Sequence, residues 1–157
     1  MLTNNKILKF AQNVMKSVGP GHSESVYQCA LVSLFFTCGI PAMTEVFIPY
    51  MVNGICVGMG RADILTNTHL IELKANQKEN LHNVEQAKLQ LIKYLKAMHL
   101  QGASPRKGIL LLFNTPSNGL YEKRITMINV SHEDVLQSFK DNDENGKMLQ
   151  KKTFLIF

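Results

Sequence analysis

The sequence predicts an α/β fold in which a central mixed β-sheet is flanked by helices. Two helix-period segments come first, a β-meander follows, and a long helix then leads into a short, wholly apolar strand. A strand, a helix and a second strand in that order make a crossover unit, so the apolar strand is expected to lie parallel to its neighbour. The chain has 157 residues, 45% hydrophobic and 18% charged, which fits one domain with its own core.

The first helix is predicted over 4–18, where Ile7, Phe10, Ala11, Val14 and Val18 recur every three or four residues until "VGPG" breaks the pattern. The second is expected to open at Ser23 as N-cap. Its apolar stripe is Tyr27, Ala30, Leu31, Leu34, Phe35 and Cys38, ending before Gly39 and Pro41. Glu24 lies in its first turn, where the helix dipole favours an anion.

The period then changes. In "TEVFIPYMVNGICVGMGRADIL" β-branched and aromatic residues flank Asn53-Gly54, a strong hairpin signal, and Gly58 and Gly60 mark a bulge or a close backbone approach. "HLIELKA" follows the turn "TNT" as a third antiparallel strand. Helical spacing returns over 81–100, with Leu81, Val84, Leu91, Leu95 and Met98 in one stripe and the stem of Lys88 beside it. "KGILLLFNT" and "LYEKRITMINV" read as strands. Ser131 and Asp134 read as a capping box for a short helix through Phe139.

Cys29, Cys38 and Cys56 form no CxxC pair and are expected as buried free thiols in a reducing compartment. With no apolar run near 18 residues and no signal-peptide core, the expectation is an intracellular protein, in cytoplasm or nucleoid or nucleus, without membrane contact. The net charge of +5 suits a polyanionic partner.

"GRADILTNTHLIELKA" carries Asp63, Glu72 and Lys74 among apolar residues. Alternation puts Glu72 and Lys74 on one strand face, and a turn that folds the two strands together brings Asp63 beside Glu72. A divalent cation would relieve the repulsion of the paired carboxylates, whereas an ion pair of Lys74 with either acid on an exposed sheet needs no cation. Spacing alone leaves both readings open.

The blocks "GPGHSESVYQCAL", "GMGRADIL", "LIELKA", "QLIKYLK" and "GILLLFN", in this order between about 7 and 130, closely resemble the GxxExxY proteins of the PD-(D/E)XK nuclease superfamily. The resemblance implies a restriction-endonuclease-like core over 1–130. Residues 131–157 lie outside the resemblance and are expected to form an extension packed on the same domain or on a partner. The resemblance also implies a nuclease that cuts phosphodiester bonds of nucleic acid with Mg²⁺ or Mn²⁺, with DNA favoured over RNA as substrate and RNA left open. Asp63, Glu72 and Lys74 would be the catalytic signature, with Ala62 where the superfamily name has proline. The family motif falls on Gly21, Glu24 and Tyr27.

On the same basis, Glu24 would join Asp63 and Glu72 at the metal, and Gln90 would support catalysis. "AKL" precedes Gln90 where family members often have His-Glu-Ala, so a role for that histidine is missing. Arg61 and Lys93 are the candidate phosphate contacts. His82 and Glu85 read as surface residues. The alternative is a catalytically silent nucleic-acid-binding or assembly protein on the same fold. The apolar end "KKTFLIF" leads to the expectation of a homodimer formed through it.

Overall fold

The computed structural model describes residues 1–75, 81–102, 107–114 and 125–140. Helix α1 is Asn4–Val18, begun by Thr3, whose hydroxyl accepts the Lys6 N–H, and ended by Gly19 at φ 84°. Helix α2 is Glu24–Thr37. Ser23 is its N-cap, as expected: its carbonyl accepts the Val26 and Tyr27 N–H groups, while its hydroxyl pairs with Ser25 and not with the helix backbone.

Strands β1 (Ala42–Val52) and β2 (Ile55–Thr66) form a long hairpin. Asn53 and Gly54 take φ 49° and 79°, the left-handed pair that a two-residue hairpin turn requires. The register shifts at Tyr50/Met51, opposite Cys56 and Gly58, so the bulge expected at the glycines is present. Strand β3 (His69–Ala75) continues the meander. Helix α3 (Leu81–Leu100) then crosses over, and β4 (Lys107–Phe113) pairs parallel to β3, with β5 (Ile125–Val130) antiparallel at the far edge. The sheet order is β1-β2-β3-β4-β5.

A fourth helix, α4, covers 132–140. The predicted capping box opens it: the Ser131 N–H donates to Asp134 and the Asp134 N–H donates to the Ser131 hydroxyl. Residues 120–124 of the last predicted strand and the tail beyond 140, with the expected dimer contact, lie outside the described residues.

The sheet is covered on both faces. Ile71, Leu73, Ile109, Leu111 and Phe113 pack against α1 and α2, while Leu70, Leu110 and Leu112 pack against α3 and Val135 of α4. That alternation is why β3 and β4 read as continuous apolar runs. All three cysteines are exposed, which corrects the expectation of buried thiols. Cys29 falls on the outer side of α2, Cys38 follows the last inward turn, and Cys56 lies beside the hairpin tip, where no element covers it. Among the described residues no helix is long and apolar enough to cross a membrane.

Two glycines let α3 approach the sheet. A Cβ at Gly60 would run into the Tyr94 ring, and one at Gly108 would lie 2.6 Å from a Leu95 methyl. At Gly58 the nearest atom, on the Tyr50 ring, is 3.6 Å away, an ordinary contact. Gly60→Ala should therefore lower stability by roughly 1–3 kcal/mol through overpacking, whereas Gly58→Ala should stay within about 0.5 kcal/mol of wild type. Urea midpoints measured on both variants check the contrast; equal midpoints would refute the close approach.

Candidate active site

The site is a fork in the sheet. Strands β2 and β3 pair only through Ile64 with Ile71 and Leu65 with Leu70, and the ladder stops where Asp63 would face Glu72. In place of the next rung, Asp63 Oδ2 accepts the Leu73 N–H at 2.6 Å. One step further, Glu24 Oε1 accepts the Ala75 N–H at 3.3 Å from the start of α2. Two backbone donors of β3 are thus satisfied by carboxylates reaching in from neighbouring elements.

Glu72 points from β3 toward the α3 side and is 2% exposed. Its Oε1 accepts Lys74 Nζ at 2.9 Å, while Oε2 is buried and has no hydrogen-bond partner among the described residues. Burial, then the nearby charge of Asp63, pushes the Glu72 carboxyl up to about 7 against the pull of Lys74. Burial also raises Asp63, opposed by the Leu73 hydrogen bond and by Lys74. For Lys74 burial is the largest single influence and works the other way, but the Glu72, Glu24 and Asp63 carboxylates together outweigh it and hold the ammonium above its ordinary value. Lys74 also reaches Glu24 Oε2 at 3.7 Å.

The structure therefore brings together Asp63, Glu72, Lys74 and Glu24. The three acids do not form a ready-made group of ligands: among the described residues no three His, Cys, Asp or Glu side chains stand at metal-binding spacing, and Lys74 lies between Glu72 and Glu24. Asp63 and Glu72 still fit a hard divalent cation, because the buried Oε2 lacks a partner among the described residues and the nearby charge of Asp63 helps raise the Glu72 carboxyl.

Gln90 lies one step back. Its amide donates to the Tyr94 hydroxyl at 2.6 Å, and that hydroxyl accepts the Arg61 N–H at 3.4 Å. The Arg61 guanidinium is paired with Glu45, Nε to Oε2 2.8 Å, and is largely exposed. Lys93 is not among these contacts; it lines an open groove of about 330 Å³ with Tyr50, Met51 and Lys96. The residues of the family motif each have a physical task. Gly21 takes φ 89°, which favours glycine, Glu24 holds Ala75 and Lys74, and buried Tyr27 donates its hydroxyl to the Gly19 carbonyl at 2.9 Å while its ring stacks on Phe113.

Two residues escaped sequence reasoning. Gln28, 7% exposed, donates its amide to the Asp63 carbonyl at 2.7 Å and to Glu45 Oε1 at 3.0 Å. Its place four residues after Glu24, on the same helix face, was the available signal. Glu45 lies across from Asp63, between the pairs Thr44–Ile64 and Val46–Ala62, and has φ 53°. Nothing in a sequence marks a glutamate for the left-handed region.

The solved structures similar to this chain include an alkaline exonuclease from Laribacter hongkongensis, at 12% identity and TM-score 0.41, covering 100% of this chain and 89% of that chain. The same exonuclease in complex with dAMP is similar at 14% identity and TM-score 0.38, covering 99% of this chain and 100% of that chain. Comparison with curated proteins gives no match. The family model of the PD-(D/E)XK nuclease superfamily matches residues 2–125, which takes in both helices before the sheet, the whole fork and α3. The chain belongs to the PD-(D/E)XK nuclease superfamily.

Proposed function

We propose that this protein is a metal-dependent nuclease of the GxxExxY kind that hydrolyses phosphodiester bonds of nucleic acid, with DNA the first substrate to test. The observation that carries the reading is the buried Glu72 oxygen, unpartnered among the described residues, beside Asp63 and Lys74. Asp63 and Glu72 would hold Mg²⁺ or Mn²⁺. When bound, such an ion polarises a phosphoryl oxygen and makes bound water more acidic. Asp63 and Glu72 would carry the ligand charge as carboxylates, and Glu24 keeps Lys74 in reach by sharing it with Glu72. The Lys74 ammonium, always charged at neutral pH, donates to the phosphate as negative charge builds on it. Gln90 orients Tyr94 and through it the Arg61 backbone. Arg61 itself can exchange Glu45 for a phosphate, since its head is open to solvent.

Labelled single- and double-stranded DNA and RNA, incubated with Mg²⁺, Mn²⁺ or EDTA, test the activity. Asp63→Ala and Glu72→Ala should each lower cleavage by about a thousandfold, the equivalent of several kcal/mol at the transition state, with the fold intact. Cleavage that survives EDTA or either substitution refutes the site. Lys74→Ala should lose turnover and keep Mn²⁺, because a protonated lysine offers a metal no lone pair. Calorimetry that shows no Mn²⁺ uptake by a folded Lys74→Ala protein would make Lys74 an organiser of the carboxylates.

A pH dependence follows from Glu72. Its ordinary pKa of 4.5 rises to about 7 on folding, so the metal-free native state holds the proton more tightly than the unfolded chain. The stabilisation is fully present below about pH 4.5 and is lost as pH rises through about 7, on the order of 3 kcal/mol in all. Thermal melts in EDTA should show wild type losing stability between pH 5 and about 8, and Glu72→Gln should flatten that decline. Mn²⁺ should restore stability most above about pH 7, where its binding no longer has to displace the proton. Parallel pH curves for wild type and Glu72→Gln would contradict the assignment.

A further inference from the structure

We infer that Glu45 is a positioning residue for Asp63, an inference that rests on the proposed ligand role of Asp63. Glu45 touches neither Glu72 nor Lys74, and its carboxylate is used twice. Oε1 accepts the Gln28 amide at 3.0 Å and Oε2 accepts the Arg61 guanidinium at 2.8 Å. Both partners lead to Asp63. Gln28 donates to the Asp63 carbonyl at 2.7 Å, and Arg61 is two residues before it on the same strand. Glu45 itself lies across the ladder from Asp63, so all three contacts enclose one peptide segment.

The backbone shows why such a tether is needed. Ala62 packs in the α3-side core, yet Ile64, two residues on, packs in the α1–α2 core. In a regular strand these two side chains would share a face. The pleat is therefore broken at Asp63, where the opposite residue has φ 53°. A left-handed glutamate is strained by roughly 1–3 kcal/mol and persists where its surroundings hold it. Here the side chain supplies the hold. The break turns the Asp63 carboxylate out of the ladder and onto the Leu73 N–H, beside Glu72.

The Leu73 amide reports this directly, because its 2.6 Å bond to Asp63 should give it a strongly downfield proton and protection from exchange. In metal-free protein, Glu45→Gly keeps the backbone freedom and deletes the carboxylate; Glu45→Gln keeps an acceptor for Gln28. Amide NMR should show the Leu73 proton moving upfield and losing protection in Glu45→Gly and in Gln28→Leu. It should stay near its wild-type position in Glu45→Gln, and amides of Ile109–Leu112 should be unchanged in all three. A Leu73 amide unmoved in Glu45→Gly, or displaced as far in Glu45→Gln, overturns the inference. If Glu45→Gly does not fold, Gln28→Leu carries the same expectation and the same refutation. Calorimetry adds the functional arm: Glu45→Gly should bind Mn²⁺ about tenfold or more weakly. Equal Mn²⁺ binding by Glu45→Gly and wild type overturns the positioning role. A wild type that takes up no Mn²⁺ refutes the metal reading of Asp63, while the Leu73 amide still decides whether Glu45 positions it.

Discussion

The hydrogen bond from the Leu73 N–H to Asp63 Oδ2 is the constraint on which the rest of the site depends. A strand that leaves its partner exposes backbone donors and acceptors, and burying them unpaired would cost about 1–3 kcal/mol apiece. Strands β2 and β3 part after two pairs without that penalty, because side chains replace the missing rungs. Asp63 serves Leu73, Glu24 serves Ala75, and Gln28 serves the Asp63 carbonyl. The groups that keep the fork open are thereby the groups that stand in it. Separation of the strands and convergence of the acids are one structural event.

Charge balance explains why this cluster is more than a rigid ion pair. Arg61 answers Glu45 at the surface, which leaves Asp63, Glu72 and Glu24 to share Lys74. One ammonium cannot neutralise three carboxylates, and the imbalance falls on the most enclosed of them. Burial, reinforced by the Asp63 charge, pushes the Glu72 carboxyl up to about 7. A core that needed only rigidity would be served as well by apolar residues of similar volume. Under the proposed metal reading, this excess negative charge, within a chain of overall charge +5, is what an entering cation would neutralise.

The sheet was largely legible because its periods are clean. Alternation in "HLIELKA" put Glu72 and Lys74 on one face, and the structure joins them at 2.9 Å. Asn53-Gly54, the crossover to β4 and the Ser131–Asp134 cap each carry strong local signals, and each is present. The cysteines were misread because residue type stood in for position: a thiol is small and apolar, but nothing packs over 29, 38 or 56. Ser23 stands at the N-cap as expected, although its hydroxyl pairs with Ser25 and only its carbonyl takes up helical N–H groups. Gln28 and Glu45 were invisible for another reason. Their importance comes from what lies across the sheet from them, and a one-dimensional pattern carries no record of that.

Ala62 bears on how the fork is shaped. The superfamily name has proline at this position, and a proline fixes its own φ and restricts the residue before it. Alanine imposes neither. In this chain Ala62 is fully buried, pairs with Val46 and packs in the core under α3, so it behaves as an ordinary strand residue. The left-handed backbone lies on the opposite strand, at Glu45, facing the break of the pleat at Asp63. A bend made on the partner strand has to be transmitted across the ladder, and the Glu45–Gln28–Asp63 chain of hydrogen bonds runs in that direction. The placement of Asp63 beside Glu72 is therefore reached here without proline, with the Glu45 side chain holding the partner strand.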